Sequence, residues 1–232
     1  KEIRKFITFH DLGSLSGGKR QDMNEKAMLI EGDRRDADDV RRAMKDCSAA
    51  FNLAAIADVR TGRDDIVYAT NFLGAKNVFE VALAKKAKII FTSSAAVYGN
   101  GEIPCMEGAD CSPVSQYGKS KLRAEKYLVQ LAPQDSYFIV RLFNVYGPGG
   151  SSAVNKLCKK ITKYEDVLVY GNGLQTRDYV YVTDAVSALM LGLTNQGLYN
   201  VGTGQDISTI SLIEMIRNMT RCKPDIYTRH GA

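Results

Sequence analysis

The stretch Ser115-Gln-Tyr-Gly-Lys-Ser-Lys121 decides how the chain is interpreted, together with Phe91-Thr-Ser-Ser-Ala-Ala-Val-Tyr-Gly99 before it. Tyr117 and Lys121 are four residues apart, a spacing that places both side chains on one face of a helix. Positions 124, 128 and 131 continue the same stripe with apolar residues. The pair is therefore predicted to face the protein interior and not the solvent.

A tyrosine and a lysine held together in this way indicate acid–base chemistry. A free phenol titrates near pH ~10, and a nearby cation favours the phenolate and lowers that pKa. The phenol of Tyr117 can then accept a proton from an alcohol near neutral pH. Ser94, at the end of a buried strand, can donate a hydrogen bond to the same oxygen. A Tyr-x-x-x-Lys pattern also arises by chance, so its position after Thr92-Ser93-Ser94 is what favours the catalytic interpretation.

Length and composition exclude several classes of protein. The chain has 232 residues, enough for one large or two modest domains, and a formal net charge of +5. It has no basic block with interleaved aromatic residues, which argues against a nucleic-acid partner. No apolar run approaches the roughly 18 residues of a membrane span, and no signal-peptide pattern is present, so a cytoplasmic protein without a membrane partner is predicted. Five cysteines without zinc-site spacing and only two histidines predict reduced thiols and no metal site.

Strand patterns alternate with helical patterns along the first two thirds of the chain. The strands are predicted at 6–10, 28–31, 49–54, 88–91 and 137–142, and the helices at 36–45, 65–85 and from 115 onward. This alternation predicts an α/β fold with a doubly wound, parallel, Rossmann-type sheet. Ligands of such sheets bind beyond the carboxyl ends of the strands, where small or polar residues follow several of these strands.

The pattern loosens after residue 147, which predicts a second, smaller region. Helices are predicted at 153–162, 184–193 and 210–219, and strands at 167–170 and 198–201. We therefore expect a cofactor-binding domain over 1–146 and a smaller, mainly substrate-binding α/β region over 147–232.

A series of motifs in a fixed order connects the chain to a known group of enzymes. The motifs are Asp11, Gly32-Asp33, Asn52-Leu-Ala-Ala55, Asn71, Thr92-Ser-Ser94 with Tyr98-Gly99, Tyr117-x-x-x-Lys121, Arg141-Leu-Phe-Asn144, Tyr146-Gly-Pro148 and Gln175-Thr-Arg-Asp-Tyr179. They resemble the extended short-chain dehydrogenase/reductases of the epimerase/dehydratase family that act on nucleotide sugars, the UDP-glucose 4-epimerases most closely. That family begins with a strand and a glycine-rich turn for the NAD pyrophosphate, and no such turn precedes Asp11. We therefore expect the given sequence to lack the family's first strand, its glycine-rich turn and its C-terminal helices.

The resemblance implies a role for each matching residue. It implies that Tyr117 is the base, that Lys121 lowers its pKa and also binds the nicotinamide ribose, and that Ser94 shares the hydrogen bond of the reacting hydroxyl. Asp11 would bind the adenosine ribose and select NAD over NADP. Tyr117 is implied to contact both NAD and substrate, and Ser94 to contact substrate. The implied NAD contacts are completed by Asp33, Arg34, Leu53, Ala54, Ala55 and Asn71, and the implied substrate contacts by Asn144, Arg177 and Arg229.

The resemblance implies a redox-neutral epimerase with NAD as cofactor and a UDP-hexose as substrate. Related dehydratases and decarboxylases carry a carboxylate after the catalytic hydroxyl residue, whereas Ala95 and Ala96 follow Ser94 here. The implied partner is a second copy of the chain, through a four-helix bundle of the 65–85 and Tyr117 helices. Another nucleotide-sugar dehydratase, decarboxylase or reductase, and an inactive fragment or NAD-binding protein, remain the alternatives.

Overall fold

The fold was analysed in a computed structural model that describes residues 7–10, 28–57, 64–101 and 103–229. Its strands are β1 (Ile7–His10), β2 (Met28–Glu31), β3 (Ala49–Asn52), β4 (Lys88–Ser94), β5 (Tyr137–Leu142), β6 (Asn144–Tyr146), β7 (Val167–Tyr170), β8 (Thr176–Tyr181), β9 (Gly197–Val201), β10 (Asp206–Ser208) and β11 (Ile226–Arg229). Its α-helices are α1 (Ala37–Ala43), α2 (Asp64–Tyr68), α3 (Gly74–Ala84), α4 (Gln116–Leu131), α5 (Ala153–Thr162), α6 (Val182–Leu191) and α7 (Thr209–Thr220).

The chain divides into two compact units. The first comprises 1–141 and 189–200, and the second comprises 142–188 and 201–232. Residues 189–200 belong to the first unit because β9 lies beside β5 in its sheet. The assignment of cofactor and substrate binding to 1–146 and 147–232 stays a prediction, and the compact units have different bounds.

Parallel strand pairs form the framework of the first unit. β1 pairs with β2 in parallel, and a separate four-stranded sheet has the order β3-β4-β5-β9, with β3 and β4 also parallel. Helices α1, α3 and α4 pack their apolar faces on this sheet. Phe79 of α3 meets Phe91 of β4 edge-on, with ring centroids 5.2 Å apart, and both are buried. The predicted α/β class with a parallel sheet is confirmed.

The second unit contains two small sheets and its own core. One sheet has the order β10-β8-β6, with β8 parallel to β6 and antiparallel to β10, and the other pairs β7 with β11 in parallel. Helices α5 and α7 bury Ile161, Leu212 and Ile213 with Val167 and Val169 of β7. Among the helices of the described chain, none combines the length and apolarity that a bilayer crossing requires.

Several sequence-based element predictions differ from the structure. The strand predicted over 49–54 ends at Asn52, and the helix predicted over 184–193 is Val182–Leu191. The helix predicted over 65–85 is interrupted by a π-helical turn at Ala69–Leu73, which joins α2 to α3. The strand predicted over 88–91 continues to Ser94, so it carries the Thr-Ser-Ser motif inside the sheet. The short strands β6, β8, β10 and β11 were not predicted, because their pairing partners are distant in sequence and their residues are largely polar.

Candidate active site

The start of α4 is placed directly against the turn that follows β4. Ser115 caps the helix, because its Oγ accepts a hydrogen bond from Gly118 N at 3.0 Å. Ser94 ends β4 and its Oγ accepts from Ala96 N at 3.2 Å, which shapes a 3₁₀ turn over Ala95–Val97. The Ser94 hydroxyl also lies near the phenol of Tyr117 and acts to lower its pKa. The structure thus brings Ser94 and Tyr117 together.

Lys121 reaches the same strand from one turn further along α4. Its side chain is buried, with 2% of the residue exposed, and Nζ donates to the carbonyl of Thr92 at 2.5 Å. Nζ lies 4.9 Å from the ring centroid of Phe91 and 5.9 Å from that of Tyr117. The helical spacing of Tyr117 and Lys121 therefore does place the two side chains near each other on the β4 side of α4.

The electrostatics of the pair differ from the sequence-based expectation. Burial raises the pKa of Tyr117, and the hydrogen bond from Ser94 opposes that rise only in part. Burial also lowers the pKa of Lys121 to about 7, with the positive charge of Arg34 lowering it further and the negative charge of Glu125 raising it. The predicted lowering of the Tyr117 pKa by Lys121 is wrong for this structure, because the ammonium bonds to Thr92 and burial disfavours charge on both groups.

The residues predicted to contact the adenine half of NAD lie around the turn after β2. Asp11 falls outside the described residues. Asp33 binds the side chain of Arg35, whose Nε donates to Oδ1 at 2.9 Å, and this hydrogen bond holds the pKa of the Asp33 carboxyl below its usual value. Arg34 is buried, with 1% exposed, and its Nη1 donates to the carbonyl of Ala54 at 2.6 Å and to Oδ1 of Asn52 at 3.2 Å. Arg34 thus ties the turn after β2 to the carboxyl end of β3.

Asn71 makes a second tie, at the π-helical turn. Its Oδ1 accepts from Ile56 N at 2.8 Å, and its Nδ2 donates to the Ile56 carbonyl at 3.0 Å and to Ser120 Oγ at 3.1 Å. Ser120 in turn donates to the carbonyl of Tyr117 at 2.7 Å. Asn71 therefore joins the segment after β3 to α4.

The carboxyl ends of β3 and β4 fit a polar ligand. Leu53 is half exposed, and the small residues Ala54 and Ala55 follow it. Asn52 and Ser93 are buried, yet Nδ2 of Asn52 and Oγ of Ser93 have no hydrogen-bond partner within the part of the chain that the structure describes. Buried polar atoms of this kind are normally satisfied by protein, water or ligand. These atoms are therefore available to water or a ligand, and the individual NAD contacts stay predictions.

Of the five residues predicted to bind substrate, Ser94 and Tyr117 lie in the first unit, and the other three lie in the second. Nδ2 of Asn144 on β6 donates to the carbonyl of Asp178 on β8 at 3.0 Å. Arg177 on β8 is exposed, and its Nη1 donates to the neighbouring carbonyl of Thr176 at 2.7 Å. Arg229 is exposed on β11, which belongs to the other sheet of this unit. Asn144 and Arg177 thus share a sheet, and Arg229 does not.

Sequence reasoning assigned no role to a buried polar cluster next to the catalytic helix. Glu125 and Arg141 form an ion pair there, and Tyr98 and Asn200 bind its other side. One signal was present in the sequence, because Glu125 follows Lys121 by four residues on the same helical face. The described residues contain no group of three or more His, Cys, Asp or Glu that could hold a metal ion, and the five cysteines are free thiols.

Comparison with known proteins identifies the family. The sequence profile of the NAD dependent epimerase/dehydratase family matches residues 4–202. The chain belongs to this family. Its predicted membership and its predicted cofactor, NAD, are thereby confirmed.

Individual relatives within the family carry several activities. A Methanocaldococcus jannaschii protein, provisionally named a UDP-glucose 4-epimerase, is 33% identical over 221 residues, covering 89% of this chain and 72% of that protein. A UDP-N-acetyl-alpha-D-glucosaminuronate decarboxylase of Bacillus cytotoxicus is 32% identical over 193 residues, covering 76% of this chain and 60% of that protein. The structure of the Thermotoga maritima UDP-glucose 4-epimerase with UDP-glucose superimposes with a TM-score of 0.86 at 28% identity, covering 96% of this chain and 77% of that one. The family's Rossmann-type fold is thus shared with solved epimerases.

Proposed function

We propose that the chain carries the catalytic centre of a nucleotide-sugar epimerase that interconverts UDP-hexoses at C4. The observation on which this proposal rests is the arrangement of Ser94, Tyr117 and Lys121, in which a hydroxyl, a phenol and an ammonium meet at the end of β4. Binding alone does not require a phenol buried beside an ammonium, whereas proton transfer to and from an alcohol does.

Each of the three side chains has one task in the proposed reaction. Tyr117, as the phenolate, takes the proton of the 4-hydroxyl to become the neutral phenol, and later returns that proton. Ser94 donates a hydrogen bond to the oxygen on which negative charge develops. Lys121 places a cation 5.9 Å from the centroid of the Tyr117 ring when it is charged, and its pKa of about 7 makes that charge depend on pH in the neutral range. Bound NAD would accept the C4 hydride and give it back to the opposite face of the 4-keto sugar.

The turn after Ser94 favours epimerisation over elimination. Ala95 and Ala96 occupy the 3₁₀ turn beside the phenol. Loss of water or carbon dioxide at a neighbouring carbon requires a further acid or base, and alanine supplies neither. The similarity to a decarboxylase nevertheless makes decarboxylation of a UDP-uronic acid the second candidate.

Exchange of Tyr117 for phenylalanine tests the proposal. Tyr117→Phe keeps the ring and removes the proton-transfer group, so kcat for UDP-glucose and UDP-galactose interconversion should fall about 10²- to 10⁴-fold, with NAD binding retained. Tyr199→Phe is the control, because its phenol donates only to the carbonyl of Gln196 at 3.0 Å, among exposed residues. Full activity in Tyr117→Phe, or steady accumulation of NADH with the wild-type protein, would contradict epimerisation. Release of carbon dioxide from UDP-glucuronic acid would select the second candidate.

We also propose a homodimer and a cytoplasmic location. The face shared by α3 and α4 carries a groove of about 390 Å³ lined by Phe72, Leu73, Lys76, Arg123 and Tyr127, among others. Arg123 stacks on the Phe72 ring at 4.8 Å, so the groove offers both apolar surface and charge to a second copy of the same helices. Sedimentation equilibrium tests the proposed homodimer, and a monomer at micromolar concentration would rule it out.

A further inference from the structure

A buried ion pair connects α4 to the central sheet. Glu125 and Arg141 have side chains that are only 3% and 6% exposed. Arg141 presents two nitrogens to one carboxylate: Nη2 donates to Oε2 at 2.7 Å and Nε to Oε1 at 3.1 Å. Such a two-point contact fixes orientation as well as distance, which a lysine could not do.

The other side of Arg141 holds the segment that follows the catalytic serine. Its Nη1 donates to the Tyr98 phenol at 2.9 Å and to the Glu107 carbonyl at 3.1 Å, and its guanidinium carbon lies 4.8 Å from the centroid of the Tyr98 ring. The Tyr98 hydroxyl then donates to Oδ1 of Asn200 at 2.7 Å. Nε, Nη1 and Nη2 of Arg141 therefore each have a defined hydrogen-bond partner.

Both ends of the cluster lead to the candidate catalytic groups. Glu125 lies one helical turn after Lys121 and two turns after Tyr117 on α4. Tyr98 ends the 3₁₀ turn that begins at Ser94, with its N–H donating to the carbonyl of Ala95 at 3.1 Å. The cluster thus joins the helix that carries the phenol to the turn that carries the hydroxyl.

We propose that Glu125, Arg141 and Tyr98 form a positioning cluster that holds Ser94 against Tyr117 and supplies the counter-charge of Lys121. The proposal rests on the catalytic roles given above for Ser94, Tyr117 and Lys121. None of the three cluster residues is assigned contact with the substrate, so each acts through a neighbouring catalytic group.

Stability alone is a weak reason for such a cluster. A buried ion pair gains little net stability over a well-packed apolar pair, because both charges lose their hydration. Its value here lies in fixed geometry and in charge. Two charged groups act on Lys121: the cation of Arg34, from the turn after β2, and the anion of Glu125, from α4. Tyr117 also lies beside it. The carboxylate of Glu125 is itself paired with Arg141 from β5. Glu125 is the one anion in this set, and it raises the pKa of Lys121 against burial.

Two single variants separate the geometric effect from the electrostatic effect. Glu125→Gln keeps an amide oxygen for Arg141 but removes the charge. We expect kcat to fall about tenfold or more with little change in KM, and the alkaline limb of the pH profile to move to lower pH. Tyr98→Phe removes only the hydroxyl, so it should lower kcat without moving the titration of Lys121. Glu80→Gln is the control, because Glu80 is a surface carboxylate whose loss should change neither property.

The pKa of Lys121 can be measured without any enzymatic turnover. This measurement tests the positioning cluster separately from the proposed epimerase activity. Lysine-labelled protein allows the Lys121 ammonium to be titrated by NMR, with Lys121→Met assigning its signal. The Lys121 pKa should fall in Glu125→Gln and stay at the wild-type value in Tyr98→Phe and Glu80→Gln. If the wild-type protein has no epimerase activity, the proposed function fails, and the Lys121 titration still decides the electrostatic part of the cluster proposal.

A double variant shows whether a fall in kcat reflects loss of the ion pair or simply loss of the folded state. Glu125→Met with Arg141→Met replaces the ion pair by two apolar side chains, which often preserves or increases stability. We expect the double variant to fold with kcat still reduced about tenfold or more. Recovery of wild-type kcat in the double variant would overturn the proposal. An unchanged Lys121 pKa together with unchanged kcat in Glu125→Gln would overturn it as well, since the cluster would then serve stability alone.

Discussion

Gly118 controls how closely α4 approaches the turn after β4. It follows Tyr117 directly and lies in the first turn of α4. A Cβ atom at this position would lie 2.5 Å from the carbonyl oxygen of Ala96 and 2.9 Å from Cβ of Pro113. The first of these is a backbone atom, which cannot rotate away as a flexible side chain would. Gly118→Ala should therefore separate the helix from the turn.

The size of that separation follows from the same distances. Ordinary van der Waals contact begins at 3.4 Å, so the two segments must move apart by about 0.9 Å. Alanine favours a helix over glycine by ~1 kcal/mol, and overpacking costs ~1–3 kcal/mol, so the loss in unfolding free energy should be only ~0–2 kcal/mol. A displacement of about 1 Å between reacting groups can lower a rate about 100-fold. Activity should consequently fall much more than stability.

The assay compares kcat with the free energy of unfolding in the same variant. Urea unfolding measures stability, and steady-state turnover of the UDP-hexose measures kcat. Gly108→Ala is the matched control, because a Cβ there meets no atom within 4 Å and the residue is not in the left-handed region. We expect Gly118→Ala to lose about 100-fold in kcat and Gly108→Ala to match the wild type. Wild-type kcat in a folded Gly118→Ala protein would refute the close approach of α4 to the Ser94 turn as a requirement for activity.

Two further predictions concern stability. Asp178 accepts hydrogen bonds from Thr203 N at 2.9 Å, Thr203 Oγ1 at 2.8 Å and Gly204 N at 2.8 Å. Asp178→Ala should therefore lower the free energy of unfolding by ~1–3 kcal/mol. An unchanged urea midpoint would contradict these contacts. Lys121 has a pKa of about 7 when folded and 10.5 as its ordinary value, so the unfolded chain binds more protons between these pH values. Stability should therefore rise with pH over that window, and Lys121→Met should remove this contribution in urea unfolding at stepwise pH.

The regular elements of the chain were predictable where each element is long or strongly apolar. The bounds of β5, α5 and β7 agree with the sequence-based prediction, because apolar periodicity marks each of them and clear turns separate them. The strand β8 was missed, although it pairs on both sides. Its first residues, Thr176, Arg177 and Asp178, are polar, and its partners lie about 30 residues away in both directions. Local pattern carries no information about such pairing.

The π-helical turn is a feature that the apolar pattern of the sequence did not reveal. Apolar positions run through 65–85 without a visible break, so the pattern predicted one helix. The turn at Ala69–Leu73 places Asn71 where it can bind both the main chain of Ile56 and the hydroxyl of Ser120. An asparagine inside an apolar helix did signal that buried partners were required. Which partners it has follows only from the tertiary structure.

The proximity of Tyr117 and Lys121 was predictable from the sequence, whereas their pKa values were not. A spacing of four residues is enough to place Lys121 beside Tyr117, because helix geometry is local. The pKa of each group depends on burial, which the whole fold determines, and burial here acts against charge on both side chains. A buried phenol and a buried ammonium therefore do not activate each other by proximity alone. The anion of Glu125 offsets part of the cost of charging Lys121, and Arg141 from a strand outside the helix holds that anion in place. The Tyr-x-x-x-Lys motif thus specifies that Tyr117 and Lys121 lie side by side. The pKa values of the two side chains are set by residues outside the motif and by burial.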